Sequence, residues 1–158
     1  MKNYVYCILL LLLIFAKKEI LKASDFIDKG YYVIDLKLKV DWLKCSAGQQ
    51  WDEIQCSGVA IKFNLDEAEL ALNQLNEQLE GQWRLPNKKE LKSLVCNTCE
   101  GAKIDKEYFP NTPAEPFWTS QRNWWSPKFF WSVNFFTGHV YGRFVPEKRL
   151  FLRFLRDR

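Results

Sequence analysis

The sequence predicts an α+β fold in which two helices pack on short, mostly antiparallel sheets. Two segments carry an asparagine cap followed by apolar residues at helical spacing. Many other apolar segments are short and bounded by turn residues, as in β-rich proteins. The chain is also rich in aromatic side chains, with 7 Trp, 6 Tyr and 12 Phe, most of them in its second half.

The first 23 residues are predicted to be a signal peptide. Lys2 gives a positive start, and Tyr4 to Ala16 is an apolar run, shorter than the roughly 20 residues of a membrane-spanning helix. Ala23 offers a small residue for cleavage; cleavage after Ala16 and an uncleaved N-terminal anchor stay open. We expect export to the periplasm, the cell surface or the medium, with no stable membrane span after cleavage.

Residues 24–158 are predicted to form one domain, because about 135 residues suffice for a single core. The full chain has 23 basic and 19 acidic residues, and the predicted signal peptide contains four of the lysines and one glutamate. The mature chain therefore has 19 basic and 18 acidic residues, a net charge of +1. Such a chain is not a polycation, so we do not expect nucleic acid as a partner.

Four cysteines follow the predicted signal peptide, and an even number in an exported chain favours disulfides. Three pairings are possible; neighbour pairing, Cys45 with Cys56 and Cys96 with Cys99, is the simplest. The Cys96–Cys99 spacing also occurs in redox enzymes, but this pair follows a helix and precedes Glu100, which disfavours a reactive thiolate. Zinc is not expected, because the gap between Cys45 and Cys56 is too long for a ligand knuckle.

The first half of the domain is predicted to contain two strands and a helix. The strands are Tyr31–Asp35 and Leu38–Cys45, followed by a loop over 46–58 and a short extended piece, Val59–Phe63. Asn64 caps the helix, with Glu67 completing a capping box. Its inner face is an apolar stripe, and Gly81 is expected to end it. The stripe comprises Leu65, Ala68, Leu72, Leu75 and Leu79.

A structural corner is predicted at Trp83-Arg84-Leu85-Pro86. Pro86 forces Leu85 into an extended conformation. Asn87 then caps a second helix, which we expect to run to about Val95, and Glu90 completes its capping box. Pro86 and Leu91 have the spacing of a hydrophobic staple.

The second half is predicted to be mainly strands. Phe117–Thr119 is the first, and Phe130–Phe136 and Val140–Val145 form a hairpin around Thr137-Gly138. The last strand, Phe151–Arg156, is apolar enough to be central in a sheet.

Several motifs in sequence order resemble one bacterial domain family over Asp35 to Arg156. They are Val40–Cys45, Gly48–Trp51, Cys56–Gly58, Trp83–Pro86 with Glu90-Leu91, Phe109–Pro113, Phe117–Ser120, Trp131–Phe135 and Leu152–Arg156. The sequence is similar to the Lcl C-terminal domain family, named for a collagen-like adhesin. The resemblance implies a C-type-lectin-like fold with paired N- and C-terminal strands. The named adhesin binds sulfated polysaccharides, and most members have no assigned activity. This chain has no Gly-X-Y run, so collagen-like trimerisation is not expected.

No catalytic site, metal or cofactor is expected. His139 is the only histidine, and there is no Gly-x-Ser-x-Gly motif. The calcium site of C-type lectins is not expected, because Phe117 follows Glu115-Pro116 where an amide should stand, and Trp131–Asn134 lacks an adjacent Asn-Asp pair. Formylglycine-generating enzymes, which share the fold, need a reactive cysteine pair near the C-terminus, and no cysteine follows Cys99.

The candidate binding site is the aromatic/basic loop, Gln121–Lys128. Its Trp124 and Trp125 are placed to stack on sugar rings or apolar side chains, while Arg122 and Lys128 meet sulfate or carboxylate groups. Three further residues on the next hairpin are expected to extend this patch: His139, Tyr141 and Arg143. The alternative is that the two tryptophans fold over the sheet as a small satellite core.

The other prominent tryptophans and arginines are predicted to be structural. We expect four tryptophans in the core: Trp42, Trp83, Trp118 and Trp131. Three arginines lie inside the family motifs and are expected to pair with buried carboxylates or backbone carbonyls: Arg84, Arg153 and Arg156.

The sequence therefore predicts an exported, non-enzymatic binding module. Its partner is expected to be an anionic glycan, such as a sulfated or acidic polysaccharide, or a surface protein. Two alternatives remain, a subunit of an envelope assembly that acts by protein–protein contact, and a thiol–disulfide enzyme. The oligomeric state is left open.

Overall fold

The computed structural model of the protein describes residues 25–158, so the predicted signal peptide lies outside the described residues. The described part confirms an α+β fold with two helices and antiparallel sheets. Its elements, in order, are β1 Phe26–Asp28, β2 Tyr32–Asp35, β3 Val40–Leu43, β4 Gln49–Trp51, β5 Cys56–Gly58, α1 Leu65–Gln78, α2 Lys88–Ser93, β6 Pro116–Arg122, β7 Phe130–Asn134, β8 Val140–Phe144 and β9 Leu155–Asp157.

The first sheet contains strands from both ends of the described chain, in the order β1-β2-β3-β9. The prediction that the N- and C-terminal strands pair is corrected, because β9 pairs with β3 while β1 forms the opposite edge. The Asp35 carboxylate accepts hydrogen bonds from the backbone N–H groups of Lys37 and Leu38. This contact forms the tight turn between β2 and β3, so the predicted strand Leu38–Cys45 begins only at Val40.

The predicted loop over 46–58 contains a hairpin of β4 and β5. The disulfide between Cys45 and Cys56 closes it, with 5.3 Å between the Cα atoms, which confirms one predicted pair. The extended piece after the hairpin contributes one bridge, from Phe63 to Leu150.

Both helices begin with the predicted capping boxes, at Asn64 with Glu67 and at Asn87 with Glu90. Their ends differ from prediction. The first helix stops at an extended C-cap, Leu79, before Gly81 is reached. The second ends at Ser93, because the chain turns to form a bridge between Val95 and Ile104. Neither described helix is long and apolar enough to cross a membrane.

The third sheet has the order β6-β7-β8 and contains the predicted hairpin, which ends earlier than expected, at Asn134 and Phe144. The last predicted strand is corrected: only Leu155–Asp157 is regular strand, at the edge of the first sheet. The preceding chain from Leu150 is nevertheless wholly buried. Instead of one continuous ladder, it forms single bridges from Leu150 to Phe63 and from Phe151 to Phe117. Leu155, the first residue of β9, forms a further bridge to Arg84.

The core contains three of the four predicted tryptophans. Trp42, Trp83 and Trp118 are buried. Trp131 is only half-buried, which corrects its assignment to the core. Its ring lies against the backbone of Gly142, where a Cβ atom would come within 2.6 Å, and the Lys88 ammonium lies 4.1 Å from the ring centre.

Candidate functional site

The corner at Trp83–Pro86 is held by a double salt bridge from Arg84. Its guanidinium donates to both carboxylate oxygens of Glu90, at 2.9 and 2.8 Å, and to those of Asp157, at 3.0 and 2.6 Å. These contacts raise the pKa of Arg84 above its usual value and lower that of Asp157. Burial raises the pKa of Glu90, but hydrogen bonds from Arg84 and Asn87 outweigh it, so the net pKa is lowered. The corner thus joins α2 to the C-terminal strand.

Arg156 supports the same region. Its Nε donates to Asp41 at 3.0 Å, and Nη1 donates to the carbonyl of Glu80 at 2.8 Å. The guanidinium carbon lies 4.8 Å from the ring centre of Trp83 and 5.1 Å from that of Tyr32. Its partners are of the two predicted kinds, a buried carboxylate and a backbone carbonyl.

Arg153 is fully buried and has no carboxylate partner among residues 25–158. Nη1 donates to the carbonyls of Leu43, at 2.9 Å, and Lys44. Nη2 donates to the hydroxyls of Thr112, at 2.7 Å, and Ser46, at 3.3 Å. Burial lowers the pKa of Arg153 to about 9, so the group remains charged at neutral pH. The prediction of backbone carbonyl partners is confirmed, and this residue too is structural.

The two tryptophans of the aromatic/basic loop are exposed. Trp124 is 69% exposed and Trp125 72%, and their rings stack on each other at 3.7 Å between centroids. The alternative of a satellite core over the sheet does not describe this arrangement. Asn123 anchors the loop: its backbone N–H donates to Phe129, at 2.8 Å, and its side chain donates to the carbonyl of Gly142, at 2.8 Å. These hydrogen bonds therefore hold the backbone that carries the two exposed tryptophans.

The loop lies in a stretch of the sequence without acidic residues. No Asp or Glu occurs between Glu115 and Glu147, a span that includes the whole third sheet. Arg122, Lys128 and Arg143 are exposed in this span, and none of them forms an ion pair with any described residue. Arg122 donates to the carbonyl of Pro127 at 2.6 Å.

The predicted site residues do not all lie together. Arg143 is next to the loop, because its neighbour Phe144 pairs with Phe130, the first residue of β7, just after the loop ends. His139 lies in the turn at the other end of β7, about 13 Å along the strand at 3.3 Å per residue. Its ring packs edge-on with Tyr141 at 6.5 Å. We therefore separate His139 from the loop, whereas Tyr141 pairs with Ser132 in the middle of β7 and lies between the two.

The second cysteine pair is a disulfide that follows α2. Cys96 and Cys99 have Cα atoms 5.4 Å apart, which confirms the predicted pairing. The pair lies beyond the C-terminal end of the helix, where the helix dipole does not favour a thiolate. Among the described residues, no group of three or more His, Cys, Asp and Glu side chains is placed to hold a metal ion.

A groove that the sequence reasoning missed lies between α1 and the β4–β5 hairpin. Four of the chain's seven glutamines line it, together with Trp51 and Tyr31. The glutamines are Gln49, Gln50, Gln74 and Gln78. Gln74 and Gln78 are four residues apart and so share one helix face, and Gln49 and Gln50 directly precede Trp51. These were the available signals in the sequence, but only the fold brings the two segments together.

The comparison with known families agrees with the sequence motifs. The family model of the Lcl C-terminal domain matches residues 31–156. No curated protein and no solved structure matches the chain, and the C-type-lectin-like form of the fold stays a prediction. Since the family model covers most of the chain and includes the corner and both disulfides, the chain belongs to the Lcl C-terminal domain family.

Proposed function

We propose that the protein is an exported, non-enzymatic binding module whose aromatic/basic loop recognises an anionic polysaccharide. The observation that carries the proposal is the exposed, stacked pair of Trp124 and Trp125, in a stretch of sequence without acidic residues and beside exposed cations that form no ion pair with any described residue. Family membership supports a surface-associated, adhesin-like role. The two disulfides are compatible with the oxidising environment that exported proteins meet.

The chemistry of the loop fits a sulfated or acidic sugar chain. Indole rings offer flat apolar faces to the C–H faces of sugar rings, and the cations attract sulfate and carboxylate groups. Each exposed ion pair contributes only about 0–1 kcal/mol, so binding needs several contacts along a polymer. The hydrogen bonds of Asn123 lower the entropic cost of ligand binding, because the loop is already ordered before the ligand binds.

Retention on a heparin column tests the proposal. The chain is expected to bind at low salt and to elute as salt rises, because salt screens the cations. Trp124→Ala with Trp125→Ala, and separately Arg122→Gln with Lys128→Gln, are expected to elute at clearly lower salt. The matched control is Lys29→Gln with Lys37→Gln, which removes two exposed charges at the first sheet and leaves the loop intact.

Failure of the wild-type chain to bind heparin at low salt would argue against a glycan ligand. If the loop variants elute at the same salt concentration as the control variant, the loop is not part of the glycan-binding site. A stoichiometric protein partner that co-purifies with the wild type, and is lost in the tryptophan variant, would instead favour protein–protein contact. Such contact is the second candidate, because exposed tryptophans are also common at protein interfaces.

A further inference from the structure

The groove between α1 and the β4–β5 hairpin is separate from the aromatic/basic loop. It has a volume of about 670 Å³. One wall is the helix face formed by Ala71, Gln74, Leu75 and Gln78. The other wall is formed by Gln50 and Trp51, and Phe63 and Phe154 also line the groove. A cleft of this size takes a small molecule or a short segment of a polymer.

No charged side chain occurs among the 17 described residues that line the groove, although 27% of the chain is charged. An ion of either sign inside it would lose hydration without gaining a counterion from the lining residues. The groove therefore favours a neutral ligand, which separates it from the cationic loop.

Free amides supply the polar contacts of the groove. Gln49 is used by the fold, since it accepts from the backbone N–H of Ser46 and donates to the carbonyl of Asn111, both at 3.2 Å. The side chains of Gln50, Gln74 and Gln78 are exposed and have no hydrogen-bond partner among residues 25–158. Each offers two donors and a carbonyl acceptor. Hydroxyl groups, which both donate and accept, match this set.

Trp51 gives the groove a fixed aromatic surface. The Lys44 ammonium lies 4.0 Å from its ring centre and also pairs with Asp28 at 2.6 Å. Because Lys44 is only 1% exposed, it covers the inner side of the indole, while the ring lines the groove. A sugar ring presents the matching apolar C–H face.

We infer that this groove is a second binding site, for a short stretch of a neutral saccharide chain. The sugar packs on Trp51, and its hydroxyls bond with the amides of Gln50, Gln74 and Gln78. The inference is independent of the loop, since the two surfaces share no residue and select ligands of different charge.

Titration of the isotope-labelled protein with neutral oligosaccharides tests the inference by NMR. The probes are cellohexaose, maltohexaose and chitohexaose, up to 10 mM. With at least one probe, we expect saturable shifts of the Trp51 indole N–H and the glutamine side-chain amides. Trp51→Ala is expected to weaken binding at least tenfold. Gln74→Ala with Gln78→Ala removes only exposed helix side chains, so it keeps the test valid if Trp51→Ala does not fold.

The matched control is Asn73→Ala with Glu77→Ala, on exposed positions of the same helix that do not line the groove. This variant, and the loop variant Trp124→Ala with Trp125→Ala, are expected to bind as the wild type does. No shift with any probe at 10 mM, shifts confined to the loop, or unchanged affinity in the glutamine variant would overturn the inference. Stronger binding of an uncharged proline-rich decapeptide at the same resonances would overturn it as well.

Discussion

At the residue scale, the buried guanidinium of Arg153 has hydrogen-bonding requirements that other side chains do not meet. Four acceptors surround it, and only a planar fork reaches them together. Arg153→Lys keeps the charge and leaves buried acceptors unpaired, so we expect a loss of about 3 kcal/mol in the free energy of unfolding by urea. The exposed control Arg149→Lys is expected to lose less than about 1 kcal/mol. If the free energy of unfolding falls by less than about 1 kcal/mol in both variants, Arg153 is not needed to hold these four acceptors.

The corner arginine gives a pH-dependent prediction at the same scale. The pKa values of Glu90 and Asp157 are lower in the folded chain than their ordinary values of 4.5 and 3.8. Their contribution to stability is therefore present above those ordinary values and is lost as the pH falls through the lowered pKa values. Arg84→Gln is expected to destabilise the protein by about 1 kcal/mol at pH 7 and by clearly less at pH 2. An equal difference at both pH values in urea unfolding would refute it.

At the element scale, the features set by residues close in sequence were predicted better than the pairings between distant segments. Both capping boxes follow from residues three positions apart, so the helix starts at Asn64 and Asn87 were predictable. Strand β1 and the β4–β5 hairpin were missed because their short sequences, such as Gln49–Trp51, lack apolar alternation. The pairing of β9 with β3 was not predictable either, since the two strands lie more than one hundred residues apart in sequence.

The second helix offers a direct test at this scale. The Asn87 side chain accepts from the N–H groups of Lys89 and Glu90, at 2.8 and 3.0 Å. Asn87→Ala is expected to cost about 1 kcal/mol of unfolding free energy. Asn87→Asp, which keeps the acceptor, is expected to stay close to the wild type. Thermal unfolding that does not separate the two variants would show that the cap is not needed.

At the scale of the whole molecule, disulfides and long-range bridges join segments that have little regular structure. The loop closed by Cys45 and Cys56 is longer than that closed by Cys96 and Cys99, with separations of 11 and 3 residues. In the chain-entropy model the first contributes about 3 kcal/mol and the second about 2. Replacing each pair by serine is expected to lower the unfolding free energy in that order. The reverse order in denaturant titrations would contradict this ranking.

The candidate site was only partly predictable from sequence. The loop residues Arg122, Trp124, Trp125 and Lys128 are neighbours in the chain, so the sequence identified them together. His139 lies apart from them, because the register of β7 with β8 places it at the opposite end of the strand, and this distance could not be read from the sequence. The groove could not be predicted, because its two walls lie at least twenty residues apart in sequence and meet only in the fold.

The central claim is that the loop binds an anionic polysaccharide, and affinity for a heparin oligosaccharide at several salt concentrations tests it most directly. We expect binding that weakens as salt rises, that is lost in the variant Trp124→Ala with Trp125→Ala, and that is absent for the desulfated oligosaccharide. Equal affinity of the wild type for the sulfated and desulfated forms, or equal affinity of the variant and the wild type, would contradict it.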